Sequence, residues 1–116
     1  MQKILFIIND APYGNERAYN ALRLAGTLTA HDDVAVQVFL MADAVGCAKS
    51  GQKVPEGYYN MQLMLNKVIR KGEVALCGTC MDARGLASSD MIDGCERSTM
   101  PELAAWTAQA DKVLVF

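Results

Sequence analysis

The chain has 116 residues, and its 11 lysines and arginines against 13 aspartates and glutamates give a net charge of −2. Hydrophobic residues make up 52% of it, which excludes an intrinsically disordered chain. The length suits one domain over residues 1–116, large enough to fold without disulfides or metals. Because the charge is weakly acidic and no basic stripe occurs, we expect no nucleic-acid partner.

The apolar run at the amino terminus ends at Asn9-Asp10 without a small-residue cleavage site, so it is not expected to be a signal peptide. No stretch reaches the ~18 apolar residues that a membrane span needs. We therefore expect a cytoplasmic protein with no membrane partner, in which thiols stay reduced. In that setting cysteines are more typical of reactive or metal-binding thiols than of structural disulfides. The chain has four: Cys47, Cys77, Cys80 and Cys95.

Four apolar runs predict strands. In chain order they are Ile4–Ile8, Val34–Met41, Val74–Cys77 and Val113–Phe116. Because these runs do not alternate cleanly with polar residues, we expect a parallel sheet that is covered on both faces. The segment Leu86–Glu96 has room for one more short strand, near Met91-Ile92 or at Cys95.

Helices are predicted between the strands. Apolar residues repeat at helical spacing over 18–28, and Asn15 is a suitable cap for that helix. A second apolar stripe covers 61–68, and a third helix begins where Thr99 and Glu102 have the spacing of a capping box. The alternation of strands and helices predicts an α/β fold with a mainly parallel sheet.

The loops that follow the strands are the expected location of a functional site, because ligands of open parallel sheets bind outside the carboxyl ends of the strands. These loops supply our candidate pocket or anion-binding residues: Asn9, Tyr13, Gly14, Asp43, Cys47, Gly78 and Arg84. Their ordinary roles stay open as alternatives. Asparagine and aspartate often cap loops, and a loop tyrosine is often packing.

The Cys77-Gly78-Thr79-Cys80 motif is the most specific chemical feature. Cys77 is predicted to end a strand and Cys80 to open a short helix, where free amides and the helix dipole lower a thiol pKa. Arg84 lies one helical turn further on. We therefore predict Cys80 as the nucleophile and Cys77 as a second catalytic thiol. The alternative is that both thiols pack as small apolar residues.

Metal and cofactor sites are not indicated. A structural zinc site needs four suitably spaced ligands, but Cys47 and Cys95 lack partner spacing and His31 lies far along the chain. No G-x-G-x-x-G motif, P-loop or G-x-S-x-G elbow occurs. We therefore predict no metal and no cofactor, and sulfur is the atom of chemical interest.

Three segments resemble the DsrE/DsrF-like family, with the closest likeness to its small YchN-type members. They are residues 9–14, residues 39–45 and residues 77–85. The resemblance extends along essentially the whole chain. It implies a three-layer α/β/α sandwich around a sheet of about five strands, and homo-oligomers such as trimers or hexamers.

The resemblance also implies sulfur chemistry, because relatives in the sulfur-relay branch carry a persulfide on a cysteine after the third strand. Cys80 is the position that best matches this cysteine, and Cys77 is an addition relative to single-cysteine relay proteins. A persulfide carrier, a sulfurtransferase-like relay between donor and acceptor proteins, is the function that we favour from the sequence.

Two alternative functions remain. A C-x-x-C redox element would cycle between dithiol and disulfide. Against it, thioredoxin-type sites place the first cysteine where the helix starts, whereas Cys77 is predicted to end a strand. A non-enzymatic oligomeric binding or scaffold module would have unreactive thiols.

Overall fold

Five parallel strands form one sheet in the computed structural model, which describes residues 1–116. The strands are β1 (Gln2–Ile8), β2 (Val34–Leu40), β3 (Glu73–Cys77), β4 (Cys95–Ser98) and β5 (Lys112–Val115). Their order across the sheet is β4-β3-β2-β1-β5. The helices are α1 (Arg17–Leu28), α2 (Met61–Ile69), α3 (Gly78–Ala83) and α4 (Met100–Gln109), with 3₁₀ turns at Ala42–Ala48 and Ser88–Asp90.

One face of the sheet is covered by α1 and α2. Alternate residues of β1 to β3 point to this face and pack against apolar side chains of both helices in one core. Phe6 and Leu40 of the sheet, with Leu22 and Leu65 of the helices, are almost completely buried. Burial of each such side chain contributes about 1.5–3 kcal/mol to folding. Small residues bring the helices together, since a β-carbon at Gly26 would already lie 3.3 Å from Lys67 Cδ.

The opposite face is covered by α4 alone. Leu5, Phe39 and Ala75 of the central strands meet Leu103 of this helix in a smaller core. Trp106 packs edge-on against Phe39 with ring centroids 6.2 Å apart. Because successive strand residues point to opposite faces and both faces are covered, the strands read as continuous apolar runs. The predicted α/β/α arrangement of five strands is confirmed.

The fifth strand is β4, which begins at Cys95, the second of the two places expected for it. Met91 forms only an isolated antiparallel bridge with Lys49. β4 is a four-residue strand at the edge of the sheet, and it pairs with β3 from Val74 to Cys77. None of the helices is long and apolar enough to cross a bilayer.

Helix starts differ from the expectation in two places. Asn15 Oδ1 accepts a hydrogen bond from Arg17 N at 2.9 Å, but α1 begins only at Arg17. The prediction of a capping box at α4 is wrong. Thr99 makes no side-chain cap, and Glu102 Oε1 instead accepts a hydrogen bond from Ser98 Oγ at 2.6 Å. Ser98 is buried at the end of β4, so it competes successfully for the carboxylate that the box would have used.

Candidate dithiol site

The two cysteines of the motif lie where β3 turns directly into α3. Cys77 is the last residue of β3 and also the residue before the first turn of α3, which begins at Gly78. Cys80 is therefore the third residue of the helix, and the expectation that it opens the helix is wrong. Both thiols are half-buried at the carboxyl edge of the sheet.

Cys77 borders an open cleft of about 210 Å³. The cleft lies between the carboxyl ends of the strands and the start of α4, and its other lining residues are Phe39, Gly78, Thr79, Arg97, Ser98, Thr99 and Met100. The hydroxyl oxygen of Thr79 lies 3.3 Å from Cys77 Sγ. The pKa of Cys77 is below its ordinary value: burial raises it, but hydrogen bonds from the Cys80 thiol, the Thr79 hydroxyl and their two amides outweigh burial.

Cys80 has a different environment and is not part of the cleft lining. The backbone N–H of Ala42 donates to Cys80 Sγ, with nitrogen and sulfur 3.2 Å apart. Ala42 is the only residue other than glycine with a positive φ, 50°, a conformation that costs an alanine roughly 1–2 kcal/mol. The end of β2 is thus held in a strained turn that aims an amide at this sulfur.

The pKa of Cys80 is raised, contrary to the expectation from the sequence. Burial is the main cause, and the hydrogen bond that its thiol donates to Cys77 adds to it. The Ala42 amide and the charge of Arg84 act in the opposite direction without outweighing these two effects. Because α3 starts at residue 78, the amides of its first turn favour the thiolate of Cys77, which is the thiol of the pair that ionises first.

Asp43 and Arg84 form an ion pair beside Cys80. Arg84 Nη2 and Nε donate to Asp43 Oδ1 at 2.8 and 3.1 Å, and Arg84 Nη1 donates to the carbonyl oxygen of Cys80 at 3.0 Å. The pair joins the 42–48 turn to α3. It is a second link between these two segments, beside the hydrogen bond from Ala42 N to Cys80 Sγ.

Arg97 is a site residue that the sequence did not reveal. Its Nη1 and Nη2 donate to Asp82 Oδ1 and Oδ2 at 2.9 and 2.7 Å, which places the guanidinium against Gly78. The charge of the Cys77 thiolate is one of the causes that raise the Arg97 pKa, after the hydrogen bond and charge of Asp82. In the sequence, nothing links Arg97 to the motif until β4 is known to pair with β3.

Thr79 is a second site residue that is absent from the candidates predicted from the sequence. No signal for Arg97 was present in the linear sequence. For Thr79 a signal existed, since a hydroxyl two residues after a strand-ending cysteine is placed to bond its sulfur.

Four expected site residues lie away from the dithiol. Cys47 is completely buried, and burial raises its pKa to about 12. Asn9 binds the end of β5, with its Nδ2 3.3 Å from the Phe116 carbonyl oxygen. Tyr13 donates to Gln52 Oε1 at 2.6 Å in an aromatic cluster over α2, and Gly14 takes a positive φ of 109° in the adjacent turn.

Cys95 begins β4 on the face that packs toward the main core. Burial, with a smaller effect of the Glu96 charge, raises its pKa to about 12. Burial thus raises the pKa of Cys47 and Cys95 to about 12, whereas Cys77 and Cys80 lie together at the carboxyl edge of the sheet, where β3 turns into α3.

Comparison with known proteins identifies the family. The sequence model of the DsrE/DsrF-like family matches residues 2–116. The chain belongs to the DsrE/DsrF-like family. It is 45% identical to protein YchN of Escherichia coli strain K12 over the full length of both chains. It is also 42% identical to an uncharacterised protein of Methanopyrus kandleri, covering 97% of this chain and 93% of that one.

Solved structures agree with this membership. The crystal structure of E. coli YchN has a TM-score of 0.94 and 47% identity, with all of both chains covered. A protein of unknown function from Methanobacterium thermoautotrophicum has a TM-score of 0.81 over all of both chains at 12% identity, a likeness of fold alone. This DsrE/DsrF-like chain therefore has the YchN fold, with a dithiol at the carboxyl edge of its sheet.

Proposed function

We propose that this protein carries sulfane sulfur as a persulfide on the Cys77–Cys80 dithiol and passes it to an acceptor. The family to which it belongs is related to sulfur relay. The observation that carries the proposal is the Cys77 thiol, which has a lowered pKa, lines a cleft and has a second cysteine three residues further on in the same turn. Thiolates, not thiols, attack sulfur, so this is the group best prepared to accept it.

The loading step is an exchange of sulfur without net oxidation or reduction. A thiolate of the pair attacks the outer sulfur of a donor persulfide, R–S–SH, and the R–S bond to that sulfur breaks. The products are Cys–S–SH and the donor thiolate, R–S⁻. The donor and acceptor are proteins or small thiols that reach the carboxyl edge of the sheet.

Assembly of several copies is part of the proposal, as the family resemblance implies for trimers or hexamers. The support within this chain is an uncovered apolar strip on the face that carries α4. Val113 and Val115 of edge strand β5 pair with Leu5 and Ile7 and are 38% and 66% exposed. Light scattering on the wild type and on Val115→Glu measures the assembly, and a monomeric wild type would contradict it.

Persulfide trapping tests the proposal. The protein is incubated with glutathione persulfide, alkylated and digested, and the peptides are weighed for one added sulfur atom. We expect the sulfur on the peptide that contains residues 77 and 80, and none in the Cys77→Ser/Cys80→Ser variant. The matched controls Cys47→Ser and Cys95→Ser should load like the wild type, and loading of the double variant would overturn the assignment.

A dithiol redox element is the second candidate, favoured by one specific observation. Cys77 ends β3 and also precedes the first turn of α3, so the first cysteine has the position and lowered pKa of an attacking thiol. This removes the objection from the sequence. Equilibration in glutathione buffers measures the potential of the pair. A stable persulfide on the wild type, without sulfide release, counts against this second function.

A further inference from the structure

We infer that sulfur enters the pair on Cys77, which borders the cleft, and then moves to Cys80, which holds it beside the Ala42 amide. This inference rests on the proposed persulfide function and divides it into two steps. It assigns a different role to each thiol, whereas a carrier with two equivalent thiols would load either one.

The surroundings of Cys77 suit it as the first acceptor. Its sulfur is on the wall of the cleft, while Cys80 is not among the cleft residues, so a donor in the cleft meets Cys77 first. The apolar walls are Phe39 and Met100, and Met100 is 58% exposed. The Thr79 hydroxyl and the amides after Cys77 stabilise its thiolate, the form that attacks.

The second step is a transfer between the two sulfurs of the pair. Cys80 releases its proton to solvent, and its thiolate attacks the outer sulfur of Cys77–S–SH. The Cys77–sulfur bond breaks as the Cys80–sulfur bond forms, the moving sulfur keeps its hydrogen, and Cys77 leaves as a thiolate. No electrons are gained or lost overall, so no oxidant or reductant is needed. The two cysteines are placed close together, because Cys77 directly precedes α3 and Cys80 is the third residue of that helix.

The direction of this transfer follows from the different stabilisation of the two thiolates. A thiol with a lower pKa leaves faster, and a thiolate with a higher pKa is the stronger nucleophile. Cys77 is the better leaving group because Thr79 and the amides stabilise its anion, whereas Cys80 has the raised pKa. Sulfur therefore loads fastest on Cys77 and is held more firmly on Cys80.

The fold also prepares a place for the loaded Cys80. The strained turn at Ala42 directs its N–H to Cys80 Sγ at 3.2 Å, and the Asp43–Arg84 pair fastens that turn to α3. Arg84 adds a positive charge near the sulfur. A persulfide ionises at its outer sulfur. The Ala42 amide contacts the inner sulfur, Cys80 Sγ, and the charge of Arg84 favours an anion nearby.

Time-resolved trapping tests the two steps. Wild type, Cys77→Ser and Cys80→Ser are mixed with glutathione persulfide, quenched with iodoacetamide at intervals and digested with trypsin. Cleavage after Lys71 and Arg84 releases a peptide that holds only the two thiols of the pair, and fragmentation between them locates the sulfur. In the wild type we expect it first on Cys77 and later on Cys80. Cys80→Ser should keep it on Cys77, and Cys77→Ser should load about tenfold more slowly.

Each other outcome has a distinct meaning. If Cys77→Ser loads Cys80 at the wild-type rate, or if sulfur stays on Cys77 in the wild type, the two-step order is wrong while the persulfide function stands. A Cys77–Cys80 disulfide with release of sulfide overturns the order and supports the redox function. Absence of sulfur on the wild-type peptide overturns the proposed function itself. Circular dichroism of each variant, repeated with alanine in place of serine at positions 77 and 80, distinguishes lost sulfur loading from lost folding.

Discussion

The guanidinium group of Arg97 occupies the space beside Gly78 that a side chain would need. A β-carbon at Gly78 would lie 2.8 Å from Arg97 Nε and 2.9 Å from Cζ, closer than such atoms approach. The glycine of the C-x-x-C motif thus admits an arginine from the neighbouring strand, which Asp82 holds with two hydrogen bonds. From the sequence we expected Gly78 to be a pocket or anion-binding residue, and in the structure it lines the cleft beside Arg97.

Gly78→Ala should displace Arg97 without unfolding the protein. The obstructing atoms are the end of a flexible side chain, and alanine favours a helical first turn. Once the positive charge moves away, the pKa of Cys77 should rise and its alkylation at neutral pH should slow by about twofold. Iodoacetamide kinetics resolved by peptide mapping measure this. In an Arg97→Ala background the same substitution should have no further effect, and a full effect there would contradict the explanation.

Thr79→Ala should raise the pKa of Cys77, because the thiolate loses the hydroxyl 3.3 Å from its sulfur. We expect the alkylation of Cys77 at neutral pH to fall by roughly fivefold, a moderate loss because the site is partly open to water. Thr79→Ser is the matched control, since it keeps the hydroxyl and should keep the rate. Equal rates for the alanine and serine variants would show that the hydroxyl has no such role.

Much of the fold could be predicted from the sequence because both faces of the sheet are covered. β1, β2, β3 and β5 appear as apolar runs at nearly their observed positions. β4 could only be suggested, since an edge strand with Glu96 and Arg97 exposed has no apolar run. The residues that depend on β4, above all Arg97, were therefore missed as well.

The location of the dithiol could be predicted, but the order in which its thiols ionise could not. That order depends on where α3 begins. A helix starting at Cys80 would favour the thiolate of Cys80. In the helix that starts at Gly78, the amides of Thr79 and Cys80 instead lower the pKa of Cys77. A difference of two residues, within the usual uncertainty of a helix boundary, transfers the stabilised thiolate from one cysteine to the other.

Arg84→Gln should raise the pKa of Cys80, because the positive charge of Arg84 is one of the effects that lower it. Measured in a Cys77→Ser background, alkylation of Cys80 at neutral pH should slow by about threefold. Arg84→Lys keeps the positive charge but loses the paired hydrogen bonds to Asp43. It should therefore retain most of the alkylation rate of Cys80. If the lysine variant is as slow as the glutamine variant, the two hydrogen bonds from Arg84 to Asp43 influence the Cys80 pKa more than the charge of Arg84 does.

Tyr13→Phe should weaken the fold without affecting sulfur loading. The Tyr13 hydroxyl donates to Gln52 Oε1 and accepts from Met61 N at 3.1 Å, so its loss should lower the free energy of unfolding by about 1–2 kcal/mol. Tyr19→Phe is the control. It keeps the ring that stacks on Tyr59, with centroids 4.2 Å apart, and should change the free energy of unfolding by less than about 0.5 kcal/mol. If Tyr13→Phe is fully folded but accepts less persulfide sulfur than the wild type, Tyr13 contributes to the dithiol site.

The buried thiol of Cys47 should make the protein less stable as the pH rises above 9. Its pKa is raised from 9.0 to about 12 in the folded chain, so the unfolded chain loses this proton first. The stability contributed by the thiol is complete below pH 9 and is lost as the pH approaches 12, at up to about 1.4 kcal/mol for each pH unit.

Urea denaturation of the wild type and of Cys47→Ala, under reducing conditions from pH 8 to 10.5, measures this loss. At pH 8 the alanine variant is expected to be less stable than the wild type because of its small cavity. Between pH 8 and pH 10.5 its free energy of unfolding should fall by about 2 kcal/mol less than that of the wild type. Cys77→Ser is a control with the opposite sign. Its lowered pKa means that the Cys77 thiolate adds stability at high pH and loses that contribution as the pH falls through its folded pKa. Parallel pH profiles for the wild type and Cys47→Ala would contradict the burial of a neutral thiol at position 47.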